Sequence, residues 1–290
     1  MKIIDLEQGS AEWIEWRSSG IGASDVSVLT GSNMYSTPLK LWEKKCGYRE
    51  EEPINIAMAH GIANEDVARQ WMNNYFKLNL KPLCIEDSSK SHYKASLDGY
   101  DASTETLVEI KCPISPRILA NARTHNAVPG YWHDQMQWQI MLCQPKRAIL
   151  ALWDPDNQCC ITIEMFAITE TIEMMQQMSD KFWNQVQMGK EPDATDADFV
   201  QITDPALQEA LLEYQNITQK EKIGSDRKKE LKKVIEGFAN EQSIQAYGFK
   251  VKKMAPRNTY DLERMREDGI EVDNYLKKGS SFSYRITSPK

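Results

Sequence analysis

Along residues 11–188, apolar positions switch repeatedly between a helical spacing and the alternation of half-buried strands. Residues 11–18 read as a short helix, and Ser24–Thr30 as the start of another with Ser24 placed to cap it. Ala59–Phe76 reads as a long amphipathic helix, with Ile62, Val67, Trp71, Tyr75 and Phe76 among its apolar positions. Tyr93–Tyr100 and Leu107–Cys112 then read as two strands joined by the polar turn DASTE. Tyr131–Cys143 returns to helix, Ala148–Trp153 and Cys160–Phe166 form a second strand pair, and Thr169–Met188 is a long helix. This order predicts an α/β (mixed α+β) fold, a central mixed sheet flanked by helices. Trp13, Trp16, Trp42, Trp71, Trp138 and Trp153 fit that core better than they fit a base-stacking platform.

The pattern changes at Gly189–Ala197, a polar and acidic stretch containing Pro192 that reads as a linker. It divides the chain into residues 1–195 and a C-terminal module, 196–290. In the module, Pro205–Ala239 reads as two charged helices broken near Gly224, followed by strand-like runs at Ala246–Met254 and Ser280–Thr287. Charge follows the same division. The net charge is −7, yet residues 217–290 carry 17 Lys+Arg against 11 Asp+Glu, +6, which leaves −13 on the remainder. A basic module on an acidic body suits a protein that meets DNA along a limited surface, and equally a pair of solvated charged helices.

Composition narrows the chemistry. With 290 residues, 41% of them hydrophobic, the chain can build one sizeable core and an appendage. It has no apolar run long enough to span a membrane, and its acidic, aromatic start is unlike a targeting peptide, so a cytoplasmic protein is expected. The six cysteines lack any C-x-x-C pair, which favours free thiols. The four histidines form no ligand motif, so any metal should be a hard cation held by oxygen, Mg²⁺ or Mn²⁺.

The stretch SLDGYDASTETLVEIKCP, residues 96–113, carries the candidate chemistry. Side chains alternate along Leu107–Cys112, so Glu109 and Lys111 share one face while Val108 and Ile110 take the other. A tight hairpin brings Asp98 beside Glu109. Two such carboxylates repel each other unless one is protonated or a divalent cation lies between them. A cation there could also use the carbonyl of Ile110, and could activate water for phosphodiester hydrolysis with Lys111 orienting that water or stabilising developing charge. Taken alone the D-x₁₀-E-x-K pattern is common, and a Glu–Lys pair on a strand is usually a solvated one.

Further motifs stand in order around it: Trp13 and Arg17 continuing to Gly20, Ile21, Ala23 and Ser24; Gly61 and Glu65; Ser96, Asp98, Glu109, Lys111, Cys112 and Pro113; Arg117; and Gln135 with Gln137. Over residues 10–190 this series resembles the phage-type recombination exonucleases, the lambda exonuclease and YqaJ-like viral recombinase family of the PD-(D/E)XK nucleases. The resemblance implies a restriction-endonuclease-like core with Asp98 and Glu109 as metal ligands, Glu65 as a further acidic ligand and Lys111 as the signature lysine. It implies Gln137 near the nucleophilic water, with Gln135 as second choice, and a 5′-phosphate pocket of Arg17, Ser24, Ser96 and Arg117. The implied activity is Mg²⁺-dependent 5′-to-3′ digestion of linear double-stranded DNA that leaves 3′ tails. The implied partners are duplex ends, a single-strand annealing protein and two further copies of the chain in a ring-shaped trimer, within the bacterial host of a phage, prophage or mobile element. The C-terminal module has no counterpart in the compact lambda-type enzyme.

Two other readings use the same residues. A restriction-type nuclease would cut closed circles, and a Cas4-like one would need cysteines toward the C-terminus, whereas none follows Cys160. A non-catalytic DNA-end-binding protein would need a degenerate site, whereas Glu65, Asp98, Glu109 and Lys111 are all present.

Overall fold

Period-two and helical runs assemble, in the computed structural model, into the elements β1 (Lys2–Ile4), α1 (Ala11–Ser18), α2 (Ala23–Leu29), α3 (Pro38–Lys45), α4 (Ile56–Phe76), β2 (Lys81–Glu86), β3 (Lys94–Asp101), β4 (Thr106–Lys111), α5 (Pro116–His125), α6 (Gly130–Cys143), β5 (Arg147–Asp154), β6 (Cys159–Met165) and α7 (Thr169–Gln187). The structure describes residues 1–50, 53–219, 225–256, 259–260, 276–277 and 283–287. Met1–Met188 and Gly189–Lys290 form two units. No helix among the described residues is long and apolar enough to cross a membrane.

The first unit is a six-stranded sheet in the order β1-β2-β3-β4-β5-β6. All neighbours are antiparallel except β4 and β5. That one parallel pair makes the sheet mixed, and the connection it requires is supplied by α5 and α6. Strand β5 is buried from Ala148 to Asp154, as a strand covered on both faces must be. On one face α4 packs Ala68 and Met72 against Val108, Ile110, Ile149, Ala151 and Trp153. The tryptophans follow the core reading in part: Trp42, Trp138 and Trp153 are buried, whereas Trp13, Trp16 and Trp71 are half-buried.

Several sequence expectations are corrected. Helix α4 starts at Ile56, because the side chain of Asn55 accepts from Met58 N–H at 2.9 Å. Its Ile62, Val67 and Tyr75 face outward, since the buried stripe follows Ala68 and Met72 at i, i+4. Ser24 does not cap α2. The cap is Gly22, whose N–H donates to the Asp25 carboxylate at 2.9 Å. Strands β1 and β2 and helices α3 and α5 carry too little periodicity to be read in advance; each is short, and β1 is only three residues long.

A segment between α1 and α2 is pressed onto the end of β3. Ile21 N–H donates to His92 O at 2.6 Å and Ile21 O accepts from Lys94 N–H at 2.9 Å, a parallel bridge that leaves no room at Gly20. Beneath it Lys94 is buried, with its Nζ donating to Trp16 O at 2.8 Å and Ser19 Oγ at 2.7 Å. Burial lowers the Lys94 pKa to about 8, although Glu86 opposes the shift. Between that value and the ordinary lysine pKa the folded chain has released a proton that the unfolded chain keeps, so this group makes stability rise with pH. Chemical denaturation of wild type and Lys94→Met should therefore show wild type gaining on the variant as pH is raised from 7 to 10. A gap that stays constant would refute the assignment.

The second unit contains β7 (Val200–Gln201), α8 (Pro205–Gln219), α9 (Ser225–Ala239), β8 (Ile244–Ala246), β9 (Phe249–Met254), β10 (Thr259–Tyr260), β11 (Leu276–Lys277) and β12 (Ser283–Thr287). Leu207 and Leu211 of α8, Leu231 and Ile235 of α9, and Ile244, Phe249 and Val251 of the sheet share its core. The run expected as one strand over Ala246–Met254 is split by a hairpin at Tyr247 and Gly248, both at positive φ. The predicted linker folds into this unit, with Glu191 paired to Lys252 at 3.5 Å and Asp196–Asp198 forming a helical turn. The predicted break near Gly224 and the start of the last run, residues 280–282, lie outside the described residues.

Candidate active site

The β3–β4 ladder runs Asp101↔Thr106, Tyr100↔Leu107, Gly99↔Val108. There it stops, because the Asp98 carboxylate takes the Ile110 N–H at 2.8 Å in place of a backbone carbonyl. The two strands part at that point and hold Asp98, Glu109 and Lys111 in the opening. Glu109 is 1% exposed. Its Oε1 accepts from Lys111 Nζ at 2.6 Å and from Gln135 Nε2, and its Oε2 accepts from Gln139 Nε2 at 2.7 Å. Lys111 Nζ also donates to Gln135 Oε1 at 3.0 Å. From α4, Arg69 donates to Asp98 O at 2.6 Å and pairs with Glu65 and Asp66.

The charges act on one another. Burial, and then the neighbouring Glu109, push the Asp98 carboxyl well above the usual carboxylate range. Glu65 is raised by burial and by Glu109, against the pull of Arg69. For Lys111 burial works downward, but Glu109 and Asp98 outweigh it and hold the ammonium charged above its ordinary range. The Cys112 thiol is pushed up to about 12 by burial and by Glu65 and Asp98, which removes it as a nucleophile or soft ligand near neutral pH.

Helix geometry decides which glutamines belong here. Gln135 and Gln139 are one turn apart on the same face of α6, while Gln137 lies on the opposite side. There Gln137 is fully buried, donating to Phe166 O at 2.7 Å and accepting from Ile168 N–H at 2.8 Å, so it staples the start of α7 rather than facing the carboxylates. The first-choice glutamine, Gln137, thus lies away from the carboxylates, and the second choice, Gln135, lies against them. Gln139 and Arg69 were missed altogether. The i, i+4 spacings Gln135–Gln139 and Glu65–Arg69 were the signals that could have found them.

Three of the four predicted phosphate-pocket residues come together beside this cluster. Arg17 stacks on the Trp13 ring at 4.5 Å and donates to Ser24 Oγ at 3.1 Å, and Trp13 Nε1 donates to Ser96 Oγ at 2.8 Å. Ser96 lies two residues before Asp98 on β3, and its carbonyl accepts from Gln139 Nε2 at 3.5 Å, which ties the two groups together. Asp25 fixes their base. Its carboxylate pairs with the buried Lys45 at 2.7 Å, and Lys45 with Arg17 holds it below the ordinary range despite burial. Arg117 stands apart from these contacts, exposed in the first turn of α5.

The donor set at the opening suits a hard cation. Asp98, Glu109, Glu65 and the Ile110 carbonyl offer oxygen only, the set that Mg²⁺ or Mn²⁺ prefers. The buried Gln139 Oε1 has no hydrogen-bond partner. Among the described residues no three His, Cys, Asp or Glu side chains already stand together as a ligand cluster, because Glu65 turns toward Arg69 and Glu109 toward Lys111 and the glutamines.

Residues 12–144, which include Arg17, Glu65, the hairpin and Gln135, match the family model of the YqaJ-like viral recombinase domain. That match, just under half of the chain, lies within the first unit. The chain is 23% identical over 195 residues to YqaJ of Bacillus subtilis (strain 168), an alignment covering 66% of this chain and 60% of that protein. It is 24% identical over 157 residues to R354 of Acanthamoeba polyphaga mimivirus, covering 49% of this chain and 28% of that one. The chain therefore spans 60% and 28% of the lengths of these curated relatives. The fold is that of the alkaline exonuclease LHK-Exo of Laribacter hongkongensis, with a TM-score of 0.53 at 20% identity, covering 62% of this chain and 94% of that one. The same enzyme in complex with dAMP gives a TM-score of 0.54 at 19% identity. In this restriction-endonuclease-like fold, the parting of β3 and β4 is the only place among the described residues where Asp98, Glu109 and Lys111 meet.

Proposed function

We propose that the protein is a Mg²⁺-dependent exonuclease that digests linear double-stranded DNA from 5′ ends and leaves 3′ tails for recombination by strand annealing. The observation that carries this reading is the convergence of Asp98, Glu109 and Lys111 at the parted strands, next to the Arg17–Ser24–Ser96 group. Likeness to an alkaline exonuclease, one that has been captured with dAMP, supports it.

In this reading Asp98, Glu109, Glu65 and the Ile110 carbonyl hold Mg²⁺, or Mn²⁺ in its place. The ion, when bound, supplies charge neutralisation at the scissile phosphate and lowers the pKa of water. The chain's own groups do the rest. Lys111, kept charged, faces the negative charge that builds on the phosphate. Gln135 contacts both Lys111 and Glu109 and so positions the ammonium against the carboxylate. Arg17, laid flat on Trp13, grips the terminal phosphate with Ser24 and Ser96, and thereby registers the strand end against the cut. Arg117 would join from α5. A ring-shaped trimer, an annealing protein as partner and a cytoplasmic location in a bacterial host belong to the same reading.

The test is Mg²⁺ digestion of linear duplex with a 5′-phosphate, the same duplex with a 5′-hydroxyl, and a closed circle. Loss of the phosphorylated linear DNA alone is the expected result. Arg17→Ala should erase the preference for phosphate over hydroxyl by roughly 10- to 100-fold, the loss of one charge-assisted hydrogen-bonding group. Cutting of the closed circle would replace the exonuclease with an endonuclease on the same residues.

A further inference from the structure

One face of α6 runs outward from the catalytic cluster. Gln139, Gln135 and Tyr131 follow at i, i+4 spacing, so Tyr131 sits one turn above the glutamine that contacts both Glu109 and Lys111. Tyr35 meets Tyr131 edge to face, with centroids 6.0 Å apart and planes at 84°. Tyr35 is 70% exposed and its neighbour Met34 81% exposed. Lys111, Gln135, Tyr131 and Tyr35 thus follow one another outward, near enough that Lys111 acts electrostatically on the Tyr131 hydroxyl.

The loop that presents this ring is braced. Asn33 accepts from Tyr35 N–H at 2.9 Å through its side chain and donates to Ser27 Oγ at 3.2 Å. Ser32 and Thr30 donate to Asp134 of α6 at 2.6 and 2.5 Å, which anchors the loop to the helix that carries Gln135. A large ring 70% exposed to water, whose one ring contact among the described residues is with Tyr131, gives the fold little. Beside a site that handles DNA ends it gives a flat surface to a base, at little cost in ordering.

We propose that Tyr35, supported by Tyr131, stacks against the nucleobase at the DNA end and so positions the terminal nucleotide over the Asp98–Glu109–Lys111 site. This rests on the nuclease reading above and adds to it a contact with the base, where the Arg17 group contacts only phosphate. Stacking of this kind is tolerant of sequence, because every base has a π-face. The contact should therefore favour any base over none.

The experiment measures binding of the full chain, in EDTA, to two 5′-phosphorylated duplexes that differ at the 5′-terminal nucleotide, one carrying 2-aminopurine and the other an abasic residue. Wild type should bind the base-bearing end more tightly by roughly 5- to 100-fold, the range for one stacked base, and should quench its fluorescence. Tyr35→Ala should abolish both the preference and the quenching, and Tyr35→Phe should keep them. The exposure of Tyr35 makes a folding defect in the alanine variant unexpected, and thermal unfolding checks it. Equal affinity of wild type for the two ends, or an unaltered preference in Tyr35→Ala, overturns the stacking contact. If Mg²⁺ digestion of the phosphorylated duplex persists in that case, the nuclease reading survives. No binding of either end and no digestion would overturn both.

Discussion

Lys111→Ala should lower Mg²⁺-dependent DNA hydrolysis by roughly 10²- to 10³-fold, the usual loss when one preorganised stabiliser of developing charge is removed. The reason lies in the surroundings of the ammonium. Lys111 is hydrogen-bonded to Glu109 at 2.6 Å and to Gln135 at 3.0 Å, and Glu109 and Asp98 hold it charged in spite of burial. With 20% of the Lys111 side chain exposed, water can take over only part of that charge. Arginine should not rescue it, since a planar fork cannot replace a compact ammonium between one carboxylate oxygen and one amide oxygen. The readout is kcat on linear duplex, with end binding in EDTA as the companion measurement. If kcat is unchanged, Lys111 is only a counter-ion for Glu109 and the reading of the site is wrong. If kcat and end binding fall together, Lys111 is holding the opening between β3 and β4 apart.

Gly20→Ala should be the most damaging small substitution in the first unit. A Cβ at this position would stand 2.5 Å from His92 O and 2.5 Å from Lys94 Cε. Neither neighbour can give way easily. His92 O accepts the Ile21 N–H that docks the segment on β3, and the buried Lys94 is tethered through Nζ to Trp16 and Ser19. Overpacking of this severity costs about 3 kcal/mol, or roughly 6–12 °C in melting temperature for a unit of this size. The same segment sets Arg17 against Ser24, so preference for a 5′-phosphate should fall as well. Thermal unfolding and the phosphate/hydroxyl digestion ratio read the two effects. A melting temperature within 2 °C of wild type would show that the segment yields, and that the glycine is not dictated by close approach (about 2 °C corresponds to less than 1 kcal/mol here).

The glycine illustrates how far the chain could be read without its structure. Gly20 was visible as one member of a spaced motif, but its reason was not, because the atoms that forbid a side chain belong to His92 and Lys94, far along the sequence. The chemistry of the hairpin was far more legible. Alternation along a strand fixes that Glu109 and Lys111 share a face, and the length of the turn fixes that Asp98 comes back beside them. Arg17, Ser24 and Ser96 do stand together, although the contact that joins them runs through Trp13, whose indole role no spacing could announce.

Where the sequence failed, tertiary contacts had the deciding vote. In Gln135-Met136-Gln137-Trp138-Gln139 three glutamines alternate, and only the direction in which α6 meets the sheet decides that Gln135 and Gln139 reach Glu109 while Gln137 turns to Phe166 and Ile168. In α4 the large apolar residues are spread over more than one face, so the positions Ile62, Val67 and Tyr75 read from the sequence are not the buried ones. Packing on β4 and β5 chose Ala68 and Met72 and left Ile62, Val67 and Tyr75 in solvent. The sequence by itself therefore determined the elements long enough to show a period, the mixed α/β class, and the charged trio on the hairpin, because these follow from local geometry that repeats every two or 3.6 residues. Only the tertiary structure decided which glutamines and which arginine join that trio, how Gly20 is enclosed, and that Tyr35 meets Tyr131 one turn from Gln135. Each of these depends on two segments distant in sequence meeting at a few ångströms, and no local pattern encodes that distance.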